Sequence, residues 1–468
     1  MQNTPSSFSR FFKESGALLH LSIPIILMQL ATQSMGFIDT TMAGQVSAAD
    51  LAAIALGTSL WLPVSLLLRG IIMALTPVVA YHRGAQSLDN VRIAFIQMLW
   101  LSAFVSAILI VYLLLGETIL VGLGVAPEII PIASDYVVAL AFGVPGIALF
   151  YTLNGFCEGM NNTRAPMLIS VIGLLVNIPV NYILIYGKFG MPALGAVGCG
   201  WATSLVYWLM SALLFSYIKR HHHYKNILHF AELRPIWQEI KQLFKLGMPI
   251  GLNIAVCGSI FAVIALLIGR IGAENVAAAQ IALNISSMTY MIPMSLSFGI
   301  TIRVGHALGE QKLETASHRS LVGIITAALL SLISVGFFLL FPEWIIRLYT
   351  TDPVVSATAA TLLMFTAMYQ FSDALQTSAN GALRGYKDTK IDDSGDSSYW
   401  GLALPLGMLL GITDEIVPAM GEEGFWIGIV TGLTTAAIAM LIRLTLVIKK
   451  YNQTAEVNTA SQPELAIQ

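Results

Sequence analysis

The chain has 468 residues, of which 56% are hydrophobic and 11% are charged, and its formal net charge is −2. Soluble domains average roughly 45–50% apolar and about 25% charged residues, so a water-soluble protein of this length needs far more charge on its surface. The composition therefore predicts an integral membrane protein. The near-zero net charge predicts no polyanionic partner, and no patch typical of nucleic-acid binding is present.

Three cysteines, Cys157, Cys199 and Cys257, lie in or beside apolar segments and have no metal-binding spacing. We expect them to be buried, reduced thiols, and we expect no cofactor. Residues 221–223 are three consecutive histidines in a basic loop. A metal-binding tract and a solvated turn both fit this pattern.

Twelve segments are long and apolar enough to cross a membrane, which takes about 20 residues as a helix. They start near Leu18, Leu51, Ile93, Ile129, Pro166, Ala193, Leu243, Val276, Leu321, Val354, Tyr399 and Phe425. Open sheet edges are excluded from lipid, and no segment alternates as a barrel strand would. The predicted fold class is an all-α polytopic membrane protein with twelve transmembrane helices.

The first half of the chain recurs in the second half at a constant offset. LSIPIILMQ matches LGMPIGLNI, with 249 − 24 = 225 between Pro24 and Pro249, and Thr76 matches Thr301, with 301 − 76 = 225. Gly44 pairs with Gly269 at the same offset, and Asn154 pairs with Asn380 at 226. The chain therefore contains two parallel repeats of six spans. In a membrane protein such repeats predict a transporter with its site between the halves.

The basic residues between spans predict the orientation and the domain bounds. With both termini in the cytoplasm, most loop Lys and Arg residues lie inside, as the positive-inside rule requires. We expect an N-lobe at 1–215, a cytoplasmic linker at 216–242 and a C-lobe at 243–448. The tail at 449–468 has a composition that favours disorder.

The eleventh span has an abnormal beginning. Its repeat mate starts at Pro166, but the matching stretch reads KIDDSGDSSYW, and Asp392–Ser398 is polar. Each Asp at a helix centre costs roughly 2.5–3.5 kcal/mol on membrane insertion. The helix therefore either starts late and is short, or the segment is altered.

Three ionisable residues lie within apolar spans, where such groups are functional candidates. Asp39 lies in the first span, Arg69 in the second and Asp373 in the tenth. A headgroup contact for Asp39, an interhelical hydrogen bond for Asp373 and a helix-holding role for Arg69 are the structural alternatives. A carboxylate in a partly dry pocket can exchange a proton or bind Na⁺, which couples an ion to a conformational change.

Amides supply further polar groups inside the spans. Asn177 and Asn181 stand four residues apart on one helix face, with Pro179 between them freeing a backbone carbonyl. Asn284 belongs to a polar cluster, ALNISSM, in the eighth span. Both groups fit either a binding site or helix–helix packing.

Several motifs together resemble the multidrug and toxic compound extrusion family, in particular its NorM-type members, over nearly the whole chain. The residues that carry the resemblance are IPIILMQLATQSMGFIDTTMAG, SLWLPVSLL, GLLVNIPVNYILIYGKFG, GAVGCGWATSLVYW, ALNISSM, IRVGHALGEQ, MYQFSDALQ, ALRGYKDT and GFWIG. The resemblance implies two six-helix lobes in a V-shaped transporter of the bacterial inner membrane. It implies that a non-enzymatic monomer exports cationic, amphipathic drugs and dyes in exchange for H⁺ or Na⁺.

The resemblance also implies which residues form the sites. Asp39, Asn177 and Asn181 match the polar site of the family's N-lobe, and Tyr369 and Asp373 match its C-lobe cation site. One departure concerns Cys257, which stands where NorM-type members carry a Glu. Because hard cations prefer oxygen ligands, a thiol there weakens the expected Na⁺ site.

Two other functions are alternatives. A lipid-linked precursor flippase would need a cluster of intramembrane Arg and Lys, for which Arg69 alone is thin support. An intramembrane enzyme would need a nucleophile–base pair or a zinc motif inside the spans, and no His lies deep in a predicted span.

Overall fold

A computed structural model describes residues 7–122, 125, 127–225, 227, 234–268, 273–350, 352–389, 399–413, 418 and 420–460. Within these residues the secondary structure is helical, with no strand. The predicted all-α fold class is confirmed. The polar stretch Asp392–Ser398 lies outside the described residues, so its two explanations stay open.

Among the described residues, the first half of the chain contains nine helices. They are α1 (Ser7–Gly44), α2 (Ala48–Met73), α3 (Leu75–Gly84), α4 (Leu88–Leu114), α5 (Gly116–Gly122), α6 (Ile130–Gly159), α7 (Arg164–Tyr186), α8 (Ala196–Arg220) and α9 (His222–Lys225). Ser47 caps α2 by accepting a hydrogen bond from the Asp50 amide. The Ser47 side chain thereby stabilises the start of α2 after the turn that follows α1.

Among the described residues, the second half contains seven more helices and one π-helical turn at Tyr399–Ala403. They are α10 (Trp237–Ile268), α11 (Ala273–Gly309), α12 (Leu313–Leu340), α13 (Pro342–Arg347), α14 (Pro353–Gly385), α15 (Leu404–Gly411) and α16 (Glu422–Ala460). Asp352 caps α14 by accepting from the Val354 and Val355 amides.

Ten stretches of the described residues are long and apolar enough to cross a membrane. They correspond to the expected spans one to six, eight, nine, ten and twelve. The seventh expected span falls in α10, and the eleventh falls in a shorter apolar helical stretch, Gly401–Gly411. The residues before Tyr399 lie outside the described part of the chain, so the start of the eleventh helix and the total of twelve spans stay predictions.

The chain divides into two compact units whose bounds differ from the expected lobes. One unit contains Ile23–Ala255, and the other contains Met1–Ser22 and Val256–Gln468. The expected N-lobe at 1–215 therefore loses its first residues to the other unit. The expected linker at 216–242 lies within the first of these units, because α8 continues to Arg220 and α10 already begins at Trp237.

An ion-paired cluster explains why the start of α1 belongs with the second half. Glu14 accepts hydrogen bonds from the guanidinium of Arg303 on α11, through Nε and Nη2. Arg319 on α12 approaches the same carboxylate at 3.5 Å and donates to the Arg303 carbonyl at 2.9 Å. These half-buried groups fasten α1 to α11 and α12.

The tail does not follow its compositional prediction. Helix α16 runs without interruption to Ala460, so the disorder expected from residue 449 is wrong as far as Ala460. The remaining residues, 461–468, lie outside the described part of the chain. Helix propensity and continuity with an apolar span carry the helix beyond the composition change.

The two repeats share their turn conformations, which confirms the duplication. Gln86 and Gln311, related by 311 − 86 = 225, both have positive φ angles, 54° and 58°. Asn161 and Lys387, related by 387 − 161 = 226, have φ angles of 62° and 58°. Each residue follows a helix and ends it in a left-handed turn.

The repeats also share a close helix crossing. In the first unit, the hydroxyl of Thr76 lies 3.5 Å from the carbonyl oxygen of Gly155, where α3 meets α6. In the second, Thr301 donates to the Gly381 carbonyl at 2.7 Å, where α11 meets α14. A side chain at Gly381 would overlap the backbone of Ser297, so the second crossing needs glycine, whereas a methyl group at Gly155 would meet the Thr76 hydroxyl at 3.3 Å.

Candidate functional site

Three helices of the first unit bring a polar cluster around Asp39. Asn181 donates to Asp39 Oδ1 at 2.6 Å, and Asn177 approaches the same oxygen at 3.3 Å. Thr203 on α8 donates to Asp39 Oδ2 at 2.7 Å. Asp39 is 8% exposed, and both asparagines are fully buried. We call Asp39, Asn177, Asn181 and Thr203 the Asp39 cluster.

The Asp39 cluster confirms that Asn177 and Asn181 share a helix face, since both reach one carboxylate. Asn181 also donates to the Asn177 side-chain oxygen at 3.0 Å, while its own Oδ1 has no hydrogen-bond partner among the described residues. The carboxylate therefore has three donors but no ion-paired cation in the described structure. Such a group can take up a proton or attract a cation without breaking an existing salt bridge.

Arg69 lies apart from the Asp39 cluster and makes contacts of its own. Its guanidinium donates to Gln29 Oε1 on α1 and lies over the Tyr151 ring at 5.0 Å from the centroid. Both contacts join α2 to neighbouring helices. They fit the helix-holding role of Arg69, and its role as a site residue stays a prediction.

The second unit places Tyr369 against α11 through a serine. Tyr369 is buried, and its hydroxyl donates to Ser286 Oγ at 2.7 Å. Asn284, which we expected among the site residues, lies on the exposed face of α11, whereas Ser286 lies on the buried face. Asn284 and Ser286 are two positions apart, so their side chains point about 200° apart around the helix axis. The polar cluster ALNISSM therefore divides between opposite faces of α11.

Asp373 follows Tyr369 by one helical turn of α14 and is half-buried. Among the described side chains, its carboxylate accepts a long hydrogen bond of 3.5 Å from the Thr377 hydroxyl. The Tyr369 hydroxyl is engaged with Ser286. Among the described residues, the hydrogen-bond contacts of Asp373 supply fewer oxygen atoms than a Na⁺ site requires.

The remaining candidates divide between described and undescribed side chains. Cys157 and Cys199 are buried free thiols, as expected, and the Cys157 side chain is fully enclosed. Cys257 lies within α10, but its side chain is outside the described set. The ring of His221 packs against Tyr217 and Tyr224.

Sequence reasoning missed two polar residues of the first unit, Thr203 and Glu158. Thr203 is a half-buried hydroxyl residue of ordinary appearance in an apolar span, and no sequence signal marks it. Ser286 belongs to the polar cluster ALNISSM that the sequence had already indicated. Glu158, in GFCEGM, is 3% exposed near the end of α6. The rule that selected Asp39 and Asp373, an acid inside an apolar segment, would have found it.

A duplicated bundle of apolar helices with carboxylates buried inside its spans defines a membrane transporter built from two repeats. The MatE family model matches residues 24–183 and 249–392, which is more than half of the chain. The chain therefore belongs to the MatE family, and the resemblance to multidrug and toxic compound extrusion proteins is confirmed.

Sequence relatives and solved structures agree with this membership. The chain is 44% identical over 438 residues to the multidrug resistance protein MdtK of Yersinia enterocolitica, covering 93% of this chain and 96% of the relative. MdtK of Yersinia pseudotuberculosis is 43% identical over the same length and coverage.

Two solved transporters share the fold at low sequence identity. An outward-facing multidrug resistance MATE family transporter matches with a TM-score of 0.85 and 20% identity, covering 94% of this chain and 97% of that one. The eukaryotic MATE transporter AtDTX14 matches with a TM-score of 0.82, also at 20% identity, with 95% and 99% covered.

Proposed function

We propose that this protein is a multidrug efflux antiporter of the bacterial inner membrane, acting as a monomer with both termini in the cytoplasm. It exports cationic, amphipathic compounds in exchange for a coupling ion. The observation that carries the proposal is the Asp39 cluster, a carboxylate within a membrane span that has three hydrogen-bond donors and no paired cation among the described residues. The names of the relatives support multidrug resistance as the biological outcome.

The coupling ion in this proposal is the proton. Asp373 accepts one long hydrogen bond and lacks a cage of oxygen ligands in the described structure. The Glu of NorM-type members is replaced by Cys257, and a neutral thiol is a poor ligand for Na⁺. A carboxylate needs only one partner to exchange a proton.

Transport is energetically feasible under this scheme. One elementary charge moving inward through 100 mV releases about 2.3 kcal/mol, which supports roughly a 50-fold gradient of a neutral cargo. Exchange of one proton for a monovalent cationic drug cancels the electrical term. Export of such a drug then depends on the pH difference or on more than one proton per cycle.

A lipid-linked precursor flippase is less well supported, because Arg69 is engaged by Gln29 and by the Tyr151 ring.

The test is transport of a fluorescent cationic dye in proteoliposomes with a pH gradient or a Na⁺ gradient imposed separately. We expect the pH gradient alone to drive dye movement in Na⁺-free buffer, and Asp39→Asn proteoliposomes to serve as the inactive control. Dye movement with neither gradient, or with a Na⁺ gradient only, would contradict proton antiport.

A further inference from the structure

Glu158 is a buried acid that the sites above do not use. It lies in the last turn of α6, and its side chain contacts α3. Its Oε1 accepts a hydrogen bond from Asn154 Nδ2 at 3.0 Å, and its Oε2 lies 3.4 Å from the Thr76 hydroxyl. This cluster involves different helices from the Asp39 cluster, which joins α1, α7 and α8.

The charged groups around Glu158 leave its carboxylate without a salt bridge among the described residues. Arg69 of α2 interacts with it electrostatically from beyond ion-pair distance, and Cys157 is the titratable neighbour on α6. Farther from Glu158, Tyr224 of α9 interacts electrostatically with Cys157. Arg83 of α3 in turn interacts electrostatically with Tyr224. A carboxylate so enclosed is costly in its charged form, and gaining a proton removes that cost.

Both hydrogen-bond partners can serve the charged and the neutral carboxyl group. Asn154 is 94% enclosed by the fold, at 6% exposure, and its Oδ1 has no hydrogen-bond partner among the described residues. When the amide turns about its terminal bond, this oxygen can accept from a protonated Glu158 at the place where Nδ2 donates to the carboxylate. The Thr76 hydroxyl has a second acceptor, the Gly155 carbonyl at 3.5 Å, to which it can turn.

Comparison of the two repeats shows whether the helix crossing beside Glu158 requires an acid. The Thr76–Gly155 crossing recurs as Thr301 and Gly381 in the second unit. The position that matches Glu158 is held by Arg384, since 384 − 158 = 226. The crossing therefore forms without a carboxylate, and Glu158 adds a property that the packing does not require.

We propose that Glu158, with Asn154 and Thr76, forms a second site that binds and releases a proton inside the first unit. On binding, the proton bonds to one carboxylate oxygen, the Asn154 amide turns its oxygen to the new hydroxyl, and Thr76 turns to the Gly155 carbonyl. On release, the proton leaves to water and the three groups return. A role of the Glu158 site in transport rests on the proposed antiport, but proton binding at Glu158 does not.

Infrared difference spectroscopy of the full protein in lipid tests proton binding without reference to transport. The carbonyl stretch of a protonated carboxylic acid is recorded while the pH is stepped between acid and alkaline values. We expect Glu158→Gln to remove one component of this band, while Asp39→Asn removes a different one. Glu158→Asp should keep a titrating component at a changed midpoint.

Thr76→Val keeps the Glu158 carboxyl group and is the second test variant if Glu158→Gln fails to fold. It removes the donor that serves the charged form, so we expect the Glu158 component to persist to higher pH. Thr301→Val is the matched control in the second repeat and should leave that component in place. A band unchanged by both Glu158→Gln and Thr76→Val would overturn the proposal.

The identity of the ion is tested by repeating the titration at fixed pH with Na⁺ in place of choline. A Glu158 component that is unchanged by Na⁺ supports a proton site. Loss of this component on adding Na⁺ would assign the site to Na⁺ and overturn the proposed proton site. Wild-type protein that shows the titration but moves no dye under either gradient would contradict antiport and leave proton binding standing.

Discussion

At the scale of single residues, the cost of a buried carboxylate connects sequence to function. Asp39 has hydrogen bonds from three side chains on two other helices. Neutral donors stabilise the charged form without adding a positive charge, so the carboxylate keeps the ability to attract a cationic partner. The same reasoning applies to Asp373, whose carboxylate accepts a hydrogen bond of 3.5 Å from the neutral hydroxyl of Thr377 in the described structure.

Replacing Asp39 with Asn should lower the initial rate of dye efflux at least about tenfold, the effect of roughly 1.4 kcal/mol on a rate-limiting barrier. The amide cannot bind or release a proton, although it fits the same space. Efflux from cells with equal amounts of membrane-inserted protein measures the effect. Thr41→Val, at an exposed hydroxyl two residues along α1, is the control. Normal efflux with wild-type pH dependence in Asp39→Asn would remove Asp39 from the mechanism.

Asp373→Asn should also reduce efflux strongly while membrane insertion continues, because the second unit then loses the carboxylate that α14 carries among its apolar residues. Thr377→Val removes only the long 3.5 Å contact and should have a small effect. Dye efflux and membrane fractionation of the two variants make the comparison. Full activity of the Asn variant would assign Asp373 a purely structural role.

At the scale of helices, glycines set how closely the spans approach. Gly247 and Gly251 on α10 face Leu67, Gly70 and Ile71 on α2, with backbone against backbone. Small residues four apart allow this approach because no side chain stands between the helices. A single methyl group at the crossing has to push one helix away.

Gly70→Ala should therefore destabilise the protein, because the added carbon overlaps the backbone of Gly251. We expect a loss of about 1–3 kcal/mol, the usual cost of overpacking. Gly36→Ala is the matched control, since no atom lies within 4 Å of the position its added carbon would take. Thermal unfolding in detergent, followed by size-exclusion chromatography, compares the two. Equal melting temperatures would show that the α2–α10 crossing tolerates a wider separation.

At the scale of the whole molecule, the choice of coupling ion depends on residues from different parts of the chain. Asp373 and Tyr369 lie on α14, while Cys257 lies on α10, more than 100 positions earlier in the sequence. A hard cation such as Na⁺ needs several oxygen ligands at one point, whereas a proton needs one basic group.

Cys257→Glu should create or increase Na⁺ dependence, because it adds a carboxylate where NorM-type members have one. Dye efflux at fixed pH, with Na⁺ replaced by choline, compares this variant with the Cys257 form. Cys257→Gln is the control for size and polarity without charge. Strong Na⁺ dependence in the Cys257 form, unchanged by Glu, would show that this position does not select the ion.

The sequence by itself determined the membrane class, the duplication and the positions of most spans, and it singled out Asp39 and Asp373 as candidate site carboxylates. These features depend on local composition, on a fixed offset and on the cost of charge in lipid. The i and i+4 spacing also determined that Asn177 and Asn181 share a face, because one helix fixes that relation.

Only the tertiary structure decided which side chains meet across helices. Thr203 reaches Asp39, and Ser286 rather than Asn284 faces Tyr369, because the rotation of each helix about its axis is set by packing against its neighbours. The division of the chain at Ser22 likewise depends on Glu14 meeting Arg303 from far along the sequence. Residue spacing fixes neighbours along one helix, but contacts between helices depend on where each helix crosses the next.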